Sequence, residues 1–235
     1  FFYLLVRRRA RSVPAPGSGG VNIEHERKQV KVLHLISSYR NRGHQQASLD
    51  PLGIMKRETV PDLQLSYHGL TEADLDTTFQ CGTLFIGKQE ATLKEIISAL
   101  EETYCRHVGV ELMHITDLAE KQWFQQRLES VRSKPVYDTE TRKHVLQRLT
   151  AAEGLERHLD SKYPGTKRFG LEGAESLIPM LDGLIERVGE YGAKEIVLAM
   201  AHRGRLNVLV NVLGKSPADL FAEFEGKRHV DTSGD

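Results

Sequence analysis

The sequence has only two cysteines, Cys81 and Cys105, and they stand too far apart for a metal or redox spacing. That scarcity excludes a disulfide scaffold and reads as two ordinary thiols in a reducing compartment. No apolar run approaches the ~20 residues of a membrane span, so no membrane partner is expected. Neither sign of charge is in excess, with 32 Lys and Arg against 32 Asp and Glu. A nucleic-acid binder needs a cationic surplus on one face, and the balance argues against that class. The patterns G-x-G-x-x-G, H-E-x-x-H, G-x-S-x-G and the Walker loop are all missing. So is an initiating methionine. The chain opens on Phe1 and stops at Gly234-Asp235, which reads as a piece of a longer polypeptide.

What is present suffices for a core: 235 residues, 40% of them hydrophobic, make one large domain or two smaller ones. Ten histidines are the groups nearest titration at neutral pH. Residues 1–21 stand apart as a basic Pro/Gly linker segment. An apolar Phe1 to Val6 precedes Arg7, Arg8, Arg9 and Arg11, and Pro14 to Gly20 follow. Apolar before charged is the reverse of a signal peptide, and the Arg-rich, acid-free composition leaves a transit peptide open.

From Asn22 the spacing turns helical. Val32, Leu35, Ile36 and Tyr39 share one face, and Gly43 ends the helix. Thr71 caps a short acidic turn, and Thr83 to Ile86 is a short strand candidate. Thr92 opens a helix with Leu93, Ile96, Ile97, Leu100 and Tyr104 on one face. Val108 to Ile115 reads as extended. Asp117 caps a helix that carries Trp123, Phe124 and Leu128 inward, and another helix runs from about Thr139 to Leu159. Residues 22–135 thus form a helix-rich N-terminal domain.

Beyond Lys162 the pattern changes to α/β. Arg168-Phe169-Gly170-Leu171-Glu172-Gly173 is a glycine-spaced loop, and a helix follows over about Ala174 to Glu190. The Glu195 to Ala201 run, apolar after its first residue and not alternating, predicts a strand covered on both faces, as in a parallel sheet. Leu206, Leu209, Val210 and Leu213 restore helical spacing, and Ser216-Pro217-Ala218-Asp219 starts one more helix.

His202 falls at the carboxyl end of that strand, where open α/β sheets bind ligands. Arg203 and Gly204 then open a helix, whose first N–H groups and a planar guanidinium favour an anion. The competing interpretation is a histidine satisfied by backbone beside two solvated arginines. Lys167 to Gly173 is a weaker anion candidate, because such loops are commonly just turns. Arg42 and His44 around Gly43 are explained by the helix dipole. His114, His144 and His158 have no partner at catalytic spacing, and Asn207 with Asn211 reads as a polar stripe. Asp182-Gly183, with Asn207 further on, imitates an acid–Asn pair for magnesium diphosphate. Asp182 falls within a helical run, however, and reads as a helix surface residue.

The string Ala201-His202-Arg203-Gly204-Arg205-Leu206-Asn207-Val208-Leu209 resembles the decarboxylating first component of the 2-oxoglutarate dehydrogenase complex. Further strings agree in order. They are Arg42-Gly43-His44-Gln45 with Leu49 to Gly53, Met113-His114-Ile115, Gln125 to Glu129, Ala151 to Glu156, and Lys167 to Gly173. The resemblance covers about Asn22 to Gly226. It implies the opening, over residues 136–235, of an incomplete thiamine-diphosphate-binding parallel-sheet domain. It implies decarboxylation of 2-oxoglutarate on thiamine diphosphate, within the tricarboxylic acid cycle. The succinyl group would pass to a lipoyl group of the dihydrolipoyl succinyltransferase component, alongside dihydrolipoyl dehydrogenase.

His202 would then bind the dicarboxylate and steady its decarboxylation, Phe169 would line the substrate pocket, and Arg203 would meet the cofactor diphosphate. The magnesium and diphosphate ligands, and a second pocket histidine, are expected beyond Asp235. The family shape implies a homodimer, and the piece alone is expected to be inactive. A bacterial cytoplasm is the first expectation for location, a mitochondrial matrix the second. The alternatives are a non-enzymatic helical docking module and a decarboxylase of the same family that ends in carboligation.

Overall fold

A computed structural model describes residues 23–227, so the linker segment 1–21 and the Gly234-Asp235 end lie outside the described residues. The chain divides into two compact units between Pro135 and Val136.

In the first unit, helix α1 (Ile23–Arg42) buries Val32, Leu35, Ile36 and Tyr39. Glu24 and Glu26 in its first turn and Arg40 and Arg42 in its last complement the helix dipole. A three-residue antiparallel pair follows, β1 (Thr78–Gln80) with β2 (Glu90–Thr92), in which buried Phe79 stands opposite Ala91. Helix α2 (Leu93–Tyr104) starts on a capping box: the Thr92 hydroxyl accepts from Glu95 N–H at 3.2 Å, and the Glu95 carboxylate accepts from Thr92 N–H at 3.1 Å. Helix α3 (Leu118–Ser130) is capped by Asp117, which accepts from Glu120 N–H at 2.8 Å. The faces of α1 and α2 close one core with Leu63, Leu70, Phe79 and Leu84.

Two strand expectations fail here. Residues 83–86 form turns, with Leu84 N–H donating to Cys81 O and Ile86 N–H to Leu84 O, while Phe85 N–H goes to the Glu129 carboxylate. Local turns and one side chain satisfy that backbone, so no ladder forms. Residues 108–115 are likewise neither strand nor helix. The orientation of α3 also departs from expectation. Gln125 and Glu129, one turn apart, are its buried residues, with Phe124 and Leu128 partly buried beside them. Trp123, two positions before Gln125, therefore faces away from the core, is 52% exposed, and carries the Arg127 guanidinium 5.0 Å from its ring centre.

Both thiols are free, Cys81 buried and Cys105 half-buried. Burial, then the Glu101 charge, pushes the Cys105 thiol up to about 11. At pH 8 native Cys105 should alkylate about a hundredfold more slowly than an unfolded cysteine, because the thiolate is the reactive form. Quantifying iodoacetamide adducts by mass spectrometry with and without urea checks this. Equal rates would contradict the buried placement.

The second unit is built on α4 (Thr139–Lys162), capped by Asp138, with α5 (Leu177–Glu190), α6 (Arg205–Asn211) and α7 (Pro217–Phe224) following. Ala152 of α4, Leu171, Ile178 and Leu181, and Val208 of α6 share one core cluster, while Leu159, Leu206 and Leu220 form another. Pro179 sits in the first turn of α5, where a missing N–H removes no helical bond. Asp182 is half-buried rather than a free surface group. It pairs with Arg148 at 3.2 Å and His144 Nε2 at 2.6 Å, so His144 has a partner that its sequence position did not reveal. Burial raises the Asp182 carboxyl, but the His144 hydrogen bond and Arg148 charge outweigh it and hold the group below its usual range.

The expected strand at 195–201 is absent. The segment is neither helix nor strand, and Val197 is 91% exposed. A parallel strand satisfies its N–H and C=O groups only against neighbours, and among the described residues the sole sheet is β1–β2 of the first unit. The fold shown is therefore mixed: mostly helical, with one small two-stranded sheet.

Candidate functional site

Two loops of the second unit meet at the start of α6. Gly204 N–H donates to Phe169 O at 2.7 Å, and Arg203 Nη1 donates to Gly170 O at 2.9 Å, across 33 positions of sequence. The approach is close because position 204 lacks a side chain: a Cβ there would collide with the buried Leu171 side chain. Gly204 also holds φ +72°, a conformation that glycine adopts without steric penalty.

This junction stacks the rings of Phe169 and His202 at 5.1 Å between centroids and 28° between planes. Arg205 places its guanidinium 4.8 Å from the centre of the same Phe169 ring. His202, Arg203 and Arg205 are exposed and Phe169 is half-buried. The three sequence-predicted residues, Phe169, His202 and Arg203, are thus brought to one place, although His202 follows no strand.

The helix start contributes less than its sequence suggests. Gly204 N–H is taken by Phe169 O and Arg205 N–H by His202 O at 3.1 Å, and α6 has only seven residues. Attraction for an anion therefore rests on guanidinium groups. Arg203 Nη1 also reaches Glu172 Oε2 at 3.1 Å.

A buried strut holds the junction. Glu156 Oε1 on α4 accepts from Leu171 N–H at 2.7 Å and from Asn207 Nδ2 at 2.9 Å. The same Nδ2 donates to Ala152 O at 2.9 Å, and Asn207 Oδ1 accepts from Asn211 Nδ2 at 2.7 Å. Asn207 is buried, so it is not the polar stripe that its spacing suggested. Spacing along α6 gave no signal for this, because the partners lie on α4. Asn207→Ala would leave the Ala152 carbonyl without its side-chain donor and the Glu156 carboxylate short of one. The expected loss is about 2–3 kcal/mol in urea denaturation, and a loss below about 0.5 kcal/mol would contradict the strut.

The other candidates lie elsewhere. Arg42 is engaged by Asp62 at 3.2 Å and by the Gln45 side-chain oxygen, consistent with a structural helix end. A cavity of about 600 Å3 in the first unit, lined by Leu35, Tyr39, Leu63 and Glu101 among others, contains none of the predicted site residues. Among the described residues no group of three or more His, Cys, Asp or Glu is placed to hold a metal.

No protein-family model matches the chain. Curated proteins do. The chain is 59% identical over 235 residues to the 2-oxoglutarate dehydrogenase E1 component of Azotobacter vinelandii, a match covering 100% of the chain and 25% of that protein. The chain matches the N-terminal part of 2-oxoglutarate dehydrogenase E1 components. It is 56% identical to the E1 component of Cupriavidus necator over 205 residues, covering 87% of the chain and 22% of that protein. With the Haemophilus influenzae E1 component the identity is 46% over 210 residues, covering 88% and 22%. The chain therefore spans about a quarter of the length of these E1 relatives, at their N-terminal end. The Azotobacter match includes residues 1–21, for which the motifs alone offered no counterpart.

Proposed function

We propose that this chain supplies one wall of the substrate site of a thiamine-diphosphate-dependent enzyme that decarboxylates 2-oxoglutarate. In this reading His202 donates a hydrogen bond to a substrate carboxylate and holds or moves a proton at its ring nitrogen. Phe169 backs the imidazole and keeps water from its stacked face. Arg203 would hold the cofactor diphosphate through its planar fork. Thiamine diphosphate, when bound, supplies the nucleophilic carbon and the electron sink. The residues present suit the diphosphate charge but not the magnesium ion, whose ligands the proposal assigns to sequence beyond Asp235.

The succinyl group would pass to a lipoyl group of dihydrolipoyl succinyltransferase, in a complex that also holds dihydrolipoyl dehydrogenase, with E1 acting as a homodimer. Residues 136–235 would open the cofactor-binding domain, and the Glu195 to Ala201 run would become a strand once neighbouring strands flank it. The 235-residue chain alone would not turn over substrate. The bacterial relatives favour a bacterial cytoplasm, and among the described residues no helix is long and apolar enough to cross a membrane.

The observation that carries this reading is the Phe169–His202 stack with Arg203 fixed on the same loop. Arg203→Ala in a full-length E1 tests it. The thiamine diphosphate concentration for half-maximal activity should rise about tenfold, the value of a charge-assisted hydrogen bond. An unchanged requirement would remove Arg203 from the diphosphate.

A further inference from the structure

The loop carrying Phe169 holds an anion of its own. Glu172 folds back between two arginines, with Oε2 at 3.1 Å from Arg203 Nη1 and Oε1 at 3.4 Å from Arg168 Nη2. The fold-back depends on Gly170, where a Cβ would collide with the Glu172 carboxylate. Phe169, at the head of the loop, has φ +50°, an uncommon conformation for a residue with a side chain.

Arg168 and Arg203 flank this carboxylate, and Arg205 lies against the Phe169 ring at the head of the loop. The other nearby acids are already engaged, Asp160 with Arg168 Nη1 at 2.7 Å and Glu156 in the Leu171 and Asn207 strut. Arg168 still has a donor to give: its Nε is buried and has no hydrogen-bond partner among the described residues.

We infer that Glu172 is a charge filter, an internal carboxylate that occupies the Arg168–Arg203 pair and yields it to ligands carrying two or more negative charges. A monocarboxylate would exchange one carboxylate for another and gain little. A small dianion or polyanion brings a second charge and can use donors that Glu172 leaves open, so it displaces the side chain. The pair is exposed, with 53% of the Glu172 and 71% of the Arg203 side chain accessible, so its attraction is weak enough for a ligand to overcome. Displacing Glu172 costs every anion the same, so the internal carboxylate sets a threshold that one charge does not clear and a second charge does. The inference rests on the proposed anion role of this loop and adds a specificity-determining residue to it.

Two polyanions share this chemistry, the diphosphate of a cofactor and a dicarboxylate substrate, and separate arms of the test distinguish them. Calorimetric titration of the full chain with inorganic pyrophosphate, with 2-oxoglutarate and with pyruvate would be run on wild type, Glu172→Gln and Gly170→Ala. Glu172→Gln removes the charge at constant length. Gly170→Ala keeps the charge and pushes the carboxylate aside at a backbone position without positive φ, so the two variants fail to fold for different reasons if at all.

Both should tighten one of the dianions by about two- to fivefold relative to wild type, and should strengthen the weak binding of pyruvate by a similar factor. Tightening of pyrophosphate alone assigns the filter to the cofactor diphosphate, and tightening of 2-oxoglutarate alone assigns it to the substrate. Unchanged or weaker binding of both dianions in both folded variants, or no dianion binding by any form, overturns the filter. Failure of the functional reading looks different. There the filter variants tighten pyrophosphate, while Arg203→Ala in full-length E1 leaves the thiamine diphosphate requirement unchanged.

Discussion

Glu129→Ala is expected to destabilise the first unit by about 3–5 kcal/mol, the usual result of removing one partner of a buried ion pair. Glu129 is inaccessible and accepts four hydrogen bonds. Arg40 Nε (2.7 Å) and the Tyr104 hydroxyl (2.6 Å) reach one oxygen, and Arg40 Nη2 (2.9 Å) and Phe85 N–H (2.9 Å) reach the other. Burial, then the Glu129 charge, holds the Tyr104 phenol far above its usual range, so it remains a donor at every ordinary pH. Alanine would leave a largely buried guanidinium, a buried hydroxyl and a loop N–H without this acceptor. Urea denaturation followed by circular dichroism measures the loss. The pair Arg40→Met with Glu129→Leu should recover much of it, since well-packed apolar residues often replace a buried pair at little cost. A loss below about 1 kcal/mol for Glu129→Ala would mean that the four bonds are not made.

His202→Ala in a full-length E1 should lower kcat for 2-oxoglutarate by about 10²–10³-fold, the range of a positioned proton carrier or hydrogen-bond donor. The imidazole is exposed, so its loss should leave stability within about 0.5 kcal/mol. The requirement for thiamine diphosphate should stay within about twofold, because Arg203 and not His202 is assigned to the diphosphate. Steady-state rates at saturating and limiting cofactor separate the two effects. Equal losses in rate and in cofactor affinity would move His202 from substrate to cofactor. His144→Ala is the control. It breaks the contact with Asp182 between α4 and α5, and activity should stay within about twofold, whereas a loss as large as that of His202→Ala would put the pocket in the wrong place.

Local chemistry was legible wherever a short stretch decides it. Thr92, Asp117 and Ser216 each cap the helix their identity predicts, and the α1 stripe from Val32 to Tyr39 is buried as its spacing requires. What distant partners decide was not legible. Trp123 points outward because Glu129 must reach Arg40 and Tyr104, none of which α3 encodes by itself. Residues 195–201 have the composition of a covered strand, yet composition cannot supply the neighbours that a ladder needs.

At the junction, motifs singled out Phe169, His202 and Arg203 one string at a time. Their meeting depends on Gly204 passing under Leu171 and on Asn207 reaching Glu156, long-range facts that no local pattern carries. Glu172 and Arg205 were quoted in those strings without any role. Only the folded loops show one as the partner of two arginines and the other above the Phe169 ring.

The most direct measurement is a crystal structure of a full-length E1 carrying this sequence, with a dicarboxylate analogue of 2-oxoglutarate that cannot be decarboxylated. The account predicts a carboxylate oxygen within about 3 Å of a His202 ring nitrogen, with the Phe169 ring against the ligand. An analogue bound productively elsewhere, with no contact to His202 or Phe169, would contradict it.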